Sequence, residues 1–164
     1  MVDAYLDIET TGLSPWQSDI TVIGIALSDG RETEVVQLLE GTLGRSGLLD
    51  AVKAASNLYT YNGSRFDLPF IREKLGVDLS GHLHHRDLML DCWNRGLYGG
   101  LKAVERRLGI PRQLEGMSGL DAVILWKKYK RGDRQALATL LEYNKEDVTN
   151  LARLRGVLRG AGER

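Results

Sequence analysis

Two carboxylates stand two residues apart in the run AYLDIETTGL, residues 4–13, in a stretch that otherwise reads as a buried strand. A strand alternates its faces, so Asp7 and Glu9 point the same way, with Cα atoms roughly 6.6 Å apart. Two bare carboxylates that close repel, and burying either is costly unless it is paired. A bound divalent cation would resolve the conflict; a solvated strand end would avoid it. Two further acids stand in informative places. Asp67, in YTYNGSRFDLPFI (residues 59–71), follows an expected strand and opens an expected helix, where it serves either as a functional group or as a helix N-cap. Asp147 lies in LLEYNKEDVTNL, residues 140–151. At 100° per residue it falls inside the apolar arc of Leu140, Leu141, Val148, Leu151 and Leu154, whereas Glu142 and Glu146 fall outside. A carboxylate facing a core needs a partner. Tyr143, four residues earlier, projects from the same side of the helix.

Other residues could serve a substrate. The amide of Asn62 can contact a sugar or base, or bond its own turn, and Arg65 can neutralise a phosphate. Phe66 reads as core or as a stacking surface for a terminal base. Lys102, Arg106 and Arg107 on one short helix, and Lys127, Lys128, Lys130 and Arg131 ending another, are solvated faces or strand-backbone contacts. Asp87 reads as a helix N-cap before Leu88.

Positioning these groups takes strands first and helices after. Strands are expected at Ala4–Ile8, Ile20–Leu27 and Glu32–Leu38, the last two joined by the turn at residues 28–31. Short connections make these an antiparallel meander. A helix at Leu48–Ala55 then crosses to a fourth strand, Leu58–Tyr61, which implies parallel pairing. Asp67–Leu75 reads as helix and His82–Arg86 as a fifth strand. From Asp87 onward the pattern is helical, broken at Gly99-Gly100, Gly109-Ile110-Pro111 and Gly132-Asp133. The longest helix is expected over Asp133–Leu158, with a frayed tail over 158–164. The class is α/β with a mixed sheet.

Composition narrows the choices. At 164 residues the chain reads as one domain, 1–164, and its 43% hydrophobic and 27% charged residues fit a globular protein. The only cysteine, Cys92, cannot form an internal disulfide, which fits a reducing cytoplasm. No secretory signal is expected at the start, and the longest apolar stretch, Val22–Leu27, is far too short for a membrane. The net charge is zero but unevenly spread. Residues 1–92 hold 14 acids and 7 bases, a net of −7; residues 93–164 hold 8 and 15, a net of +7. That asymmetry fits a polyanion held over an acidic site, or simply charged helical faces.

At these residues a resemblance emerges. LDIETTGL resembles the first motif of the DEDD 3′→5′ exonucleases, which have a ribonuclease H-like fold. YNGSRFDLPF is similar to their second motif, an Asn followed by Phe-Asp, and YNKEDV to their third in its tyrosine form, Tyr-x-x-x-Asp. The three occur in the family's order over roughly residues 3 to 155. Where the histidine form would carry a His, this chain has Glu142, so the tyrosine (DEDDy) subgroup is indicated. The small size and the run LKAVERRLGIPR look closest to the single-domain YprB-like branch.

The resemblance implies a central five-stranded mixed sheet flanked by helices. It also implies catalytic residues Asp7, Glu9, Asp67, Tyr143 and Asp147, with the four acids holding two Mg²⁺ or Mn²⁺ ions about 3.5–4 Å apart. Asp7 would bridge both ions, Glu9 and Asp147 would complete the water-activating site, Asp67 would hold the second ion, in one form through water, and Tyr143 would orient the water. Asn62, Arg65, Phe66 and Lys102 would contact the substrate, single-stranded 3′ ends of DNA or RNA. Two other readings stay open: a non-catalytic module that binds nucleic-acid ends or a partner protein, and an endonuclease on hybrids.

Overall fold

The computed structural model describes residues 1–160. Its sheet has the order β3-β2-β1-β4-β5, formed by β1 (Val2–Thr10), β2 (Ile20–Ser28), β3 (Thr33–Leu38), β4 (Ala55–Thr60) and β5 (His84–Asp87). The β1–β2 and β2–β3 pairs are antiparallel; β1–β4 and β4–β5 are parallel. This is the mixed five-stranded sheet expected. Helices α1 (Arg45–Val52), α2 (Asp67–Leu75), α3 (Leu88–Trp93), α4 (Leu101–Leu108), α5 (Gly119–Lys130) and α6 (Arg134–Gly160) cover it on both faces.

The alternation of β1 assigns those faces. Ala4, Leu6 and Ile8 point into a core completed by Leu48 and Val52 of α1 and Phe70 and Ile71 of α2. Tyr5 points the other way, into a core built with Leu88 and Cys92 of α3, Val104 of α4, and Val148, Leu151 and Leu154 of α6. Asp7 and Glu9 share the parity of Tyr5, so the strand's period of two carries both acids toward α6. Burial of these paired apolar stripes is the main stabilising term.

Helix α6 lies close against β2. Gly24 pairs with Asp7, and a Cβ built on Gly24 would fall 2.1 Å from Asn144 Oδ1. Any larger residue there would collide with the Asn144 amide and displace it. Elsewhere the helix ends follow ordinary rules. Ser118 and Asp121 form a reciprocal capping box on α5, and Gly76 and Gly109 close α2 and α4 in the left-handed conformation.

Several boundaries differ from the sequence expectation. Helix α1 starts earlier and stops at Val52, because Ala55 already pairs with Val2. The fourth strand ends at Thr60, where Asn62 turns the chain with a φ of 61°. The fifth strand begins at His84 rather than His82, since the His82 amide closes a short turn onto the Leu79 carbonyl. Of the expected frayed tail 158–164, residues 158–160 continue α6 with Leu158 buried, and 161–164 lie outside the described residues.

Candidate active site

Three of the four expected acids meet at one point. Carboxylate oxygens of Asp7, Glu9 and Asp147 all lie within 4.8 Å of one another. Glu9 and Asp147 are each 6% exposed. Asp7 and Glu9 come from β1, Asp147 from the fourth turn of α6, and each sits on an element that also packs into apolar core. Such rigid supports fix the spacing.

Asp67 approaches from α2. It is the first residue of that helix, buried, and its Oδ1 accepts from the Ile8 amide at 3.0 Å. The ladder between β1 and β4 ends at Tyr5–Tyr59, so the Ile8 amide has no strand partner on that side and Asp67 takes it. The N-cap of α2 is Phe66, without a side-chain bond, so Asp67 is not the cap of its own helix. Asp87 is a cap: it accepts from the Met89 amide at 3.1 Å, and also from the amides of Asn62 and Ser64 at 2.8 and 3.1 Å. It therefore shapes the turn that delivers Asp67.

The electrostatics are those of charge forced together. Burial, then the charges of Asp147, Glu9 and Asp67, hold Asp7 well above the usual carboxylate range. Burial and the Asp147 charge push Glu9 up to about 8. Burial pushes Asp67 up to about 7 against the pull of the Ile8 amide. Burial raises Asp147 as well, but Arg112 and Lys102 oppose the shift. Glu9 Oε1 is buried with no hydrogen-bond partner among the described residues. Close, hard oxygen donors, Glu9 and Asp147 buried and Asp7 half-buried, with an unpartnered oxygen on Glu9 fit a divalent ion such as Mg²⁺ or Mn²⁺.

Tyr143 is 2% exposed, and its hydroxyl accepts from Lys102 Nζ at 2.6 Å. Burial, followed by the charges of Asp147 and Glu9, raises its pKa, so the hydroxyl keeps its proton. With Lys102 on its lone pair, that proton remains available to a third group.

Asp7, Glu9, Asp147 and Tyr143 line an open cleft of about 480 Å³, whose rim includes Asn62, Lys102 and Trp93; Asp67 lies outside its lining. Phe66 lines a neighbouring, more apolar cleft of about 480 Å³ with Leu13, Leu120 and Val123; Glu9 borders both. Phe66 also packs on Phe70 at 5.1 Å between ring centres, so it is part core and part wall. Arg65 does not line the cleft; its guanidinium lies 5.9 Å from the centre of the Trp93 ring.

Sequence reasoning missed the groups that hold the acids. Asn144 is fully buried, and its Nδ2 donates to the Asp7 carbonyl and Oδ2 at 3.3 and 3.4 Å. Gln37 Nε2 fixes that amide by donating to Asn144 Oδ1 at 3.0 Å and to the Leu141 carbonyl at 2.7 Å. Arg112, in the loop between α4 and α5, donates Nη2 to Asp147 Oδ1 at 2.6 Å and forks onto Glu105 at 2.7 and 2.8 Å. Burial pulls its pKa down, but the two carboxylates outweigh burial and hold the guanidinium above its ordinary value. Glu146, placed outside the apolar arc by sequence, is buried too, because its carboxylate accepts the Gln113 and Leu114 amides at 2.7 and 2.8 Å. Thus α6 holds the Arg112 loop from two sides. The only sequence signal was that adjacent Asn, Glu and Asp residues occur on a helix otherwise apolar on that side.

A mixed sheet that brings strand-borne and helix-borne carboxylates to one cleft defines a class, and the comparisons agree with it. The profile of the RNase H superfamily matches residues 4–159, and the chain belongs to that superfamily. Among solved structures, a family B DNA polymerase from the hyperthermophilic archaeon Pyrobaculum calidifontis superposes with a TM-score of 0.74 at 21% identity, over 96% of this chain and 24% of the polymerase chain. This chain thus spans about a quarter of that protein. Brucella melitensis NrnC superposes with a TM-score of 0.62 at 23% identity, over 96% of this chain and 72% of NrnC. NrnC has also been solved bound to pGG and with bound Mg²⁺, with TM-scores of 0.63 for each. At these identities the likeness establishes the fold. No curated protein sequence matches the chain.

Proposed function

We propose that this protein is a metal-dependent 3′→5′ exonuclease of the tyrosine DEDD type, nearest to the YprB-like branch, acting on single-stranded DNA or RNA. The observation that carries the reading is the convergence of Asp7, Glu9 and Asp147 within 4.8 Å beside the Tyr143 hydroxyl. That fold neighbours have been solved with pGG and with Mg²⁺ adds support.

Asp7, Glu9 and Asp147 would hold Mg²⁺ or Mn²⁺, with Asp67 behind them. When bound, such ions lower the pKa of a water and neutralise charge on the phosphate and leaving oxygen. The chain's own groups do the rest. The Tyr143 hydroxyl, with Lys102 on its lone pair, keeps its proton and donates a hydrogen bond to the oxygen of the attacking water, fixing its approach. The Lys102 ammonium, on the same rim, also offsets charge on the scissile phosphate. Asn62, held in its turn by Asp87, offers its amide to the terminal sugar or base. Phe66 and Leu13 give a terminal base an apolar wall beside Glu9. The direction of attack, from the 3′ end, rests on the motif resemblance.

No helix among the described residues is long and apolar enough to cross a membrane. With Cys92 free and buried, the reading places the enzyme in the cytoplasm.

A 5′-labelled single strand incubated with Mn²⁺, as matched DNA and RNA, tests the proposal. The expected product is a ladder shortening from the 3′ end that EDTA abolishes. Mid-chain cuts would make the protein an endonuclease, and no cleavage would make it a binding module.

A further inference from the structure

Helix α3 has two lining faces. Met89 and Trp93, four residues apart, face the active cleft. Leu88 and Asp91 on the other face, with Arg95 just beyond the helix, line a second open pocket of about 430 Å³. Its far wall is the end of α6, with Arg155 and Arg159, and its floor is the sheet, with Tyr59 of β4 and Arg86 of β5. Tyr59 and Tyr61 share one face of the same chain, two residues apart, and Tyr61 lines the active cleft. The two openings therefore lie on either side of α3.

The pocket is lined by four arginines and one acid. Arg86 forks onto Asp91 at 2.6 and 2.9 Å, and Arg155 pairs with Asp3. Arg95 donates to the Leu158 carbonyl, which fixes its side chain without cancelling its charge. Arg159 stands in the last turn of α6. Neither Arg95 nor Arg159 has a carboxylate partner among the described residues. The pocket therefore holds an excess of positive charge in planar guanidinium groups, the form suited to phosphate oxygens. It contains no lysine and no free aromatic face, because the Arg155 guanidinium lies 4.1 Å above Tyr59 and Tyr5 stacks on Tyr59. Such a lining binds phosphate rather than base.

We propose that this pocket grips backbone phosphates of the substrate strand a few nucleotides in from the 3′ end, so that the strand crosses α3 between the pocket and the active cleft. This rests on the exonuclease reading of the cleft. Phosphate is common to DNA and RNA, so the grip is equal for both, and it serves strands longer than a dinucleotide.

The test is Arg95→Gln/Arg159→Gln, which removes both charges and keeps polar side chains, together with Arg159→Glu alone. Melting temperatures establish that the variants fold. Anisotropy with a 5′-fluorescein 12-mer in EDTA, as DNA and as RNA, is measured over a range of KCl. Hydrolysis of a labelled dinucleotide is followed in Mn²⁺. The double variant is expected to bind both 12-mers about tenfold more weakly, with a salt slope smaller by about 1.4, while dinucleotide turnover stays at the wild-type value. Arg159→Glu alone should weaken 12-mer binding at least as much as removing its charge. Unchanged 12-mer affinity and slope in folded variants would overturn the proposal, as would an equal loss on dinucleotide and 12-mer. If AMP raises the wild-type melting temperature through these arginines while 12-mer affinity is unaffected, the pocket takes small phosphates and the strand path is wrong. If wild type neither binds nor cleaves any strand, the exonuclease reading itself fails.

Discussion

The two sides of the acidic cleft are built differently. On the strand side, among the described residues, the Asp7 carboxylate is hydrogen-bonded only by the Asn144 amide, Lys102 acts on Asp7 and Glu9 only through its charge, and Glu9 Oε1 is bonded to nothing. On the helix side, Asp147 meets Arg112, itself neutralised in part by Glu105. The helix side has a cation bonded to its carboxylate, and the strand side has none among the described residues. A buried guanidinium that bonds Asp147 holds that carboxylate in place before any ion arrives, and Asn144 does the same for Asp7 through a neutral amide. The contrast is between one acid held by a bonded guanidinium and others held by amides, with burial raising their pKa values.

The largest effect expected from breaking this arrangement is on the strand side. Asp7→Asn should reduce Mn²⁺-dependent cleavage below detection while raising the melting temperature of the metal-free protein at pH 8, because it removes a repelling charge. Single-turnover assays and calorimetry on one preparation check both. Wild-type turnover would remove Asp7 from the mechanism.

Tyr143→Phe should slow the chemical step by about 10²–10⁴-fold and leave the fold intact, since only a hydroxyl is lost. A single-turnover rate within twofold of wild type would reduce Tyr143 to packing.

On the helix side the expected damage is to stability. Arg112→Gln strands Glu105 and Asp147, both buried, and breaking such a network costs about 3–5 kcal/mol. Urea unfolding measures it. The rise in melting temperature caused by Mg²⁺ should be larger in this variant than in wild type, because Asp147 then loses the cation bonded to it. An equal or smaller rise would show that Arg112 does not stand in for metal charge.

A gentler way to sharpen the comparison is pH. Glu9 and Asp67, at about 8 and 7, bind protons in the folded state at pH values where the unfolded chain has already released them. Their raised values therefore favour folding below the ordinary carboxylate range, and that contribution is lost as pH rises toward 8. Metal-free protein should melt progressively lower from pH 5 to pH 8, and saturating Mg²⁺ should flatten the trend. A flat metal-free profile would mean that the acids are less buried than they look. The smallest effect is expected at Glu142, which is exposed on α6; Glu142→Ala should shift stability by less than about 0.5 kcal/mol.

Much of this cleft is legible in the sequence. The period of two fixed that Asp7 and Glu9 share a face, and the 3.6-residue period turned Asp147 and Tyr143 inward. These are local rules, needing only the chain's own geometry. The same rules misplaced Glu146, because the amides that bury it, Gln113 and Leu114, arrive from a loop more than thirty residues away. The strand boundary at Ala55 was misread for a similar reason: its partner, Val2, lies at the other end of the sheet's first strand.

By itself, then, the sequence determined which acids and which tyrosine are candidates for the chemistry, which face of each element they occupy and the order of strands and helices, since covalent spacing and side-chain periodicity require no partner. Tertiary structure alone decided what each acid answers to: Asp67 to the Ile8 amide, Asp7 to Asn144, Asp147 to Arg112. It alone also set α3 as a wall between an acidic cleft and an arginine-lined pocket. Those pairings join residues from distant parts of the chain, and the free energy of a buried charge depends on which groups surround it in space, a quantity no local pattern encodes.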